Sequence, residues 1–231
     1  MRMLGIIGGI APESTIDYYC RILAAYRAAA ADGTCPRLLI NSIDLNKLLT
    51  LAGESRLEEL TDYLAAEVSA VAKAGASAAL FASNTPHLVF DAVRQRSTIP
   101  MISIVEATCA HAEIQGLRRV GLLGTRFTMQ ARFYPETFAK RGITVLPPSP
   151  DEQEFVHGRY VGELIEGVFR PETRDRISTV VEAMIRRDDL DGVILAGTEL
   201  PLLIRAETIL DTPLLDTTGI HVGAAIAHLL S

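Results

Sequence analysis

The stretch Met3-Leu4-Gly5-Ile6-Ile7-Gly8-Gly9-Ile10-Ala11-Pro12-Glu13-Ser14-Thr15 reads as a buried strand that ends in two glycines and turns into a helix. Its apolar part, Met3 to Ile10, is broken by Gly5, Gly8 and Gly9, and Asp17 and Arg21 follow soon after. That run is too short to span a bilayer and lacks the pattern of a secretory leader. A weaker copy, Gly121-Leu122-Leu123-Gly124-Thr125, stands 116 residues further on. Two more pairs follow in the same order. Leu80-Phe81-Ala82-Ser83-Asn84-Thr85 matches Ile194-Leu195-Ala196-Gly197-Thr198-Glu199 at an offset of 114, and Thr98-Ile99-Pro100-Met101 matches Asp211-Thr212-Pro213-Leu214 at 113. Ordered matches at a nearly constant offset point to two copies of one half-protein.

Between the short apolar runs lie helical periods. Ile16, Tyr19, Leu23 and Tyr26 form one stripe, Leu57, Leu60, Leu64, Val68 and Val71 another, and Ile177, Val180, Val181 and Met184 a third that starts after Pro171. Strand and helix in alternation make parallel βαβ units. The expected fold is α/β, two pseudo-symmetric parallel-sheet sub-domains with an interdomain cleft. One half is expected over 1–104 plus 210–231, and the other over 105–209. Ligands bind at the carboxyl ends of parallel strands, so the strand-end loops are the places to look for chemistry.

Composition narrows the partners. In 231 residues, 22 Lys and Arg stand against 28 Asp and Glu, a net charge of −6, and aromatics are 6% with no Trp. That excludes a phosphate-backbone binder and a stacking platform for single strands, so no nucleic-acid partner is expected. Cys20, Cys35 and Cys109 are widely spaced and odd in number, which suggests neither a disulfide framework nor a zinc cluster. A soluble, cytoplasmic protein with no membrane partner is the expectation.

Three strand-end motifs carry the candidate chemistry. Gly8-Gly9 before Pro12 brings backbone N–H groups and a helix N-terminus to one corner, suited to an anion or simply to a tight turn. Ala82-Ser83-Asn84-Thr85-Pro86-His87 offers two hydroxyls and an amide. The plainer reading is a helix cap by Asn84 or Thr85, with His87 on the surface. Ala196-Gly197-Thr198-Glu199-Leu200-Pro201 is its repeat-mate, with Thr198 an anion donor or a cap and Glu199 a carboxylate near the same cleft or a solvated one. No lysine lies in the Ser83 or Gly197 motif to form a Schiff base, and no His/Cys/Asp cluster has metal-ligand spacing, so no cofactor and no metal are expected.

With Asn41-Ser42-Ile43-Asp44, Thr128-Met129, Phe133-Tyr134 and Asp216-Thr217-Thr218-Gly219-Ile220-His221 added, the chain resembles the aspartate/glutamate racemase family, the pyridoxal-independent amino-acid racemases, over nearly its whole length. The resemblance implies an active site between two halves, a homodimer, and a small carboxylate or amino acid as ligand. It places substrate-binding residues at Gly9, Ile10, Asp44, Asn84, Thr85, Thr125 and Thr198. The family carries a cysteine before Asn-Thr in the first motif and another before Thr-Glu in the second. Here those positions are Ser83 and Gly197.

A thiol is tunable as base or acid, whereas a serine hydroxyl is a poor proton base and glycine supplies nothing. Gly197 is expected to open space on its face for water or a larger substituent. Ser83, His87, Glu199 and the vacated position 197 are then the catalytic candidates. Three readings stay open: altered chemistry on a small carboxylate by hydrolysis, lysis or decarboxylation, racemisation at low activity, or binding without catalysis.

Overall fold

The protein is described from a computed structural model, over residues 2–30 and 34–231. The chain falls into two compact units, Met1–Ile104 with His221–Ser231, and Val105–Ile220. None of the described helices is long and apolar enough to cross a membrane.

The first part of the chain runs β1 (Met3–Gly8), α1 (Pro12–Ala29), β2 (Arg37–Ser42), α2 (Leu45–Gly53), α3 (Leu57–Lys73), β3 (Ala78–Phe81), α4 (Phe90–Arg96) and β4 (Met101–Ile102). There follow α5 (Ile104–Ile114), β5 (Arg119–Gly124), α6 (Arg126–Gln130), α7 (Phe133–Ala139), β6 (Thr144–Leu146) and α8 (Pro150–Arg159). The last part holds α9 (Pro171–Asp188), β7 (Gly192–Ala196), α10 (Leu200–Leu203), β8 (Thr208–Ile209), β9 (Thr212–Asp216) and α11 (Thr217–Leu230).

Each unit has its own sheet, parallel throughout in the first and parallel apart from β8 in the second. The first has the order β2-β1-β3-β4 and the second β6-β5-β7-β9-β8. Apart from the short β8, both follow one plan: the first strand is central, the second lies to one side, and the third and fourth to the other. The repeated sequence pairs sit on matching strands, β1 with β5, β3 with β7 and β4 with β9. Central strands buried on both faces need continuous apolar runs, which is what Ala78–Phe81 and Gly192–Ala196 are; all their residues are buried.

The structure departs from expectation in three places. β9 pairs in parallel with β7, Val193 opposite Leu214 and Ile194 opposite Leu215, so residues 210–220 belong to the second unit and not the first. The C-terminal helix from His221 lies in the first unit: Val222, Ala225, Ile226 and Leu229 belong to one core cluster with Leu4, Ile6, Tyr18 and Ile22. β8 pairs antiparallel to β9, so the second sheet is not purely parallel. Helix α1 buries Ser14, Tyr18, Ile22 and Tyr26, while Ile16 is 62% and Tyr19 43% exposed. Both stripes satisfy a helical period, and packing against β1 and α11 selects the one that sequence alone did not favour.

Candidate functional site

The first corner is built by Gly9. Its φ is +76°, and a Cβ there would lie 2.6 Å from the Ser42 hydroxyl, 2.7 Å from the Ile43 carbonyl oxygen and 2.8 Å from its nitrogen. Two backbone segments meet too closely for any side chain, so glycine is required. The Gly9 N–H donates to the Thr15 hydroxyl at 2.8 Å and the Ile43 N–H to the Gly8 carbonyl at 3.0 Å. Ile10, expected at the ligand, puts its side chain into the core. Ala11 holds φ +45° just before α1, a left-handed backbone on a residue with a Cβ.

Asp44 is an exposed helix cap. Its carboxylate accepts the Lys47 N–H at 3.2 Å, and its own N–H donates to the Tyr63 hydroxyl at 3.0 Å. Thr125 likewise caps α6, accepting weakly from the Thr128 N–H at 3.4 Å. Both residues thus have structural work that the sequence reading did not assign to them.

At the end of β3, Ser83, Asn84, Thr85 and His87 are all buried. The chain makes a single 3₁₀ turn, Thr85–Leu88, with Pro86 in its first positions and no side-chain cap from Asn84. The capping alternative for this motif therefore fails, and so does the surface position for His87. The imidazole stacks on Phe90 with centroids 4.5 Å apart and meets Phe81 edge-on at 6.3 Å. Burial, aided by the neighbouring His221 and Arg94, lowers its pKa to about 3, against weaker support for the charged form from the Asn84 and Ser83 backbone. His87 is thus neutral at physiological pH and packed as an aromatic.

In the second unit, β7 ends in Gly197-Thr198-Glu199 ahead of α10, and Thr198 and Glu199 are each 2% exposed. A solvated Glu199 is thereby excluded, and no side chain caps this helix. The Thr198 hydroxyl donates to Glu199 Oε2 at 3.2 Å.

The space expected beside Gly197 is filled. A Cβ at 197 would lie 2.4 Å from Cε2, 2.8 Å from Cζ and 2.7 Å from the hydroxyl of Tyr160. Tyr160 is buried, and its hydroxyl donates to Glu199 Oε2. Burial first, and then the Glu199 carboxylate, push the phenol well above its ordinary pKa. Sequence reasoning missed this residue. Its only trace is the spacing Val156, Tyr160, Leu164, three residues four apart that all enter the core of the second unit. The chain at this point leaves α-helical geometry for a π-turn over Tyr160–Leu164, with the Ile165 N–H donating to the Tyr160 carbonyl at 3.0 Å. Such turns add a residue and re-aim side chains, often at functional sites. Glu163 anchors the turn, accepting from Thr173 at 2.5 Å and Arg159 at 2.6 Å.

None of the three cysteines lies at these loops. Cys20 and Cys35 are exposed elsewhere, and Cys109 is buried in α5, where burial raises its pKa. Among the described residues no group of three His, Cys, Asp or Glu side chains is placed to hold a metal ion.

The model of the Asp/Glu/Hydantoin racemase family matches residues 7–225. The chain belongs to that family. Among solved structures, it is similar to a proposed Asp/Glu racemase from Yersinia pestis, at 31% identity and a TM-score of 0.89 over 100% of both chains. It is similar to an aspartate racemase homologue from Pyrococcus horikoshii OT3 at 33% identity and a TM-score of 0.85, again over 100% of both. The aspartate racemase of Picrophilus torridus, at 20% identity and a TM-score of 0.74, covers 99% of this chain and 94% of its own and shares the fold. This Asp/Glu racemase family member thus has a serine and a glycine, Ser83 and Gly197, at the two motif positions, with Tyr160 packed on the second.

Proposed function

We propose that the protein binds a small amino acid or carboxylate at its strand-end loops and acts on it without the two-thiol proton transfer of its family. The observation that carries this reading is a selective loss. Ser83 and Gly197 replace both thiols, while the donors beside them, Asn84 and Thr85, and the Gly8-Gly9 corner are kept. N–H and O–H donors in buried surroundings suit a carboxylate. Without an acid–base pair on two faces of one carbon, a reaction that breaks a bond to the carbon becomes the better fit: hydrolysis, lysis or decarboxylation, with Ser83 as nucleophile or hydrogen-bond donor.

The reading is tested by calorimetric titration of L-aspartate, L-glutamate and small dicarboxylates into the wild type, N84A and T85A. One of these ligands should bind, and each substitution should weaken it roughly 10-fold or more, the scale of a hydrogen bond to a charged group. Absence of binding across the set, or binding indifferent to both substitutions, would contradict the proposal.

A further inference from the structure

We propose that Tyr160 and Gly197 act as one coupled pair, in which the phenol occupies the place of a side chain at position 197 and positions Glu199, so that this loop presents a fixed hydrogen-bonding group where a thiol would otherwise stand. The geometry is wholly within the second unit. A residue with a Cβ at 197 would overlap the tyrosine ring at 2.4 Å, closer than real contacts come, and the ring cannot easily yield. It is buried in the core of the second unit, and its hydroxyl is tied to Glu199. The π-turn that aims it is pinned through Glu163 by Thr173 and Arg159. Glycine at 197 and tyrosine at 160 therefore require each other: the glycine admits the ring, and the ring fills what would be a void.

The chemical consequence lies in Glu199. Its Oε2 accepts both the Tyr160 and the Thr198 hydroxyls, and removing a donor from a carboxylate disfavours its charged form relative to the form that keeps it. The phenol stays protonated, held so by burial and the adjacent carboxylate. It can orient and donate, but it is a poor proton acceptor. Tyr160 is thus a positioning residue, and its ring stands where a side chain at 197 would have to go.

Two measurements test the coupling without any ligand. In the first, carboxyl carbon-13 NMR follows Glu199, assigned with E199Q, through a pH titration of the wild type and Y160F. Phenylalanine keeps the ring and removes the donor. The Glu199 midpoint should rise by roughly one to two pH units in Y160F; an unmoved midpoint would overturn the positioning role. In the second, G197A should lower the melting temperature by about 2–10 °C in the wild type and by much less in a Y160A background. Equal losses in both would overturn the steric coupling.

A third measurement rests on the proposed ligand class. Deuterium exchange at Cα of L-aspartate in D₂O is compared in S83C/G197C and in S83C/G197C/Y160A, a thiolate taking the Cα proton while the carbon keeps the electron pair and regains a deuteron from a thiol exchanged with the solvent. The variant without the tyrosine ring should exchange at least about 100-fold faster, and equal, measurable rates would count against the coupling. Failure of L-aspartate to bind either variant or the wild type would count against the ligand class, leaving the NMR and melting results to decide the Tyr160 proposal.

Discussion

His87 and His221 are two buried imidazoles of the first unit, both held neutral. His221 bonds the Tyr18 hydroxyl through Nδ1 at 2.8 Å and the Ile102 carbonyl through Nε2 at 3.0 Å. The carbonyl needs a proton on Nε2, so Nδ1 accepts from the phenol. Burial lowers the pKa of His221 to about 4, and that of His87 to about 3, against 6.5 for the free group. A folded-state pKa below the unfolded one means that the unfolded chain binds the extra proton. The contribution to stability is therefore complete above about pH 6.5 and is lost as pH falls toward 3–4. Each histidine should make unfolding easier by on the order of 1 kcal/mol per pH unit across that window. Urea denaturation of the wild type and H87F at pH 7 and pH 5 checks this: H87F should show a shallower fall than the wild type. Parallel falls would mean that His87 does not titrate on unfolding as described.

Asp44 sharpens the difference between a binding residue and an element-forming one. Its carboxylate caps α2 through the Lys47 N–H, and losing such a cap costs about 1 kcal/mol. D44A should lower the melting temperature by about 2–4 °C while leaving the affinity for whichever carboxylate binds in the titrations within about twofold. A large loss of affinity with unchanged stability would return Asp44 to the ligand.

The elements were legible in the sequence to different degrees for physical reasons. Central strands such as Ala78–Phe81 are buried on both faces and announce themselves as apolar runs. Helix α1 was legible as a helix, but its buried face was not, because Tyr26 belongs to both candidate stripes and the choice is made by β1 and α11. The two-residue β8 is too short to carry a pattern. The π-turn that aims Tyr160 has no sequence signature, and the contact it creates joins residues 37 apart along the chain. The candidate loops could therefore be found from motif and repeat, while the side chain that fills the vacated position at 197 could not.

At the scale of the molecule, two sheets of the same strand plan carry two strand-end loops of related sequence, one ending in Ser83-Asn84-Thr85 and the other in Gly197-Thr198-Glu199. The scaffold is that of the Asp/Glu/Hydantoin racemase family, and no cysteine stands at 83 or 197. The central question is whether this scaffold inverts an amino acid. Wild-type protein is incubated with L-aspartate and L-glutamate in D₂O, and the products are followed by proton NMR and chiral chromatography. Neither D-isomer should form at ordinary enzymatic rates, on the order of 1 s⁻¹ or faster. Appearance of D-aspartate or D-glutamate at such rates would contradict the proposed function, because some pair of groups other than thiols at 83 and 197 would then be moving the protons.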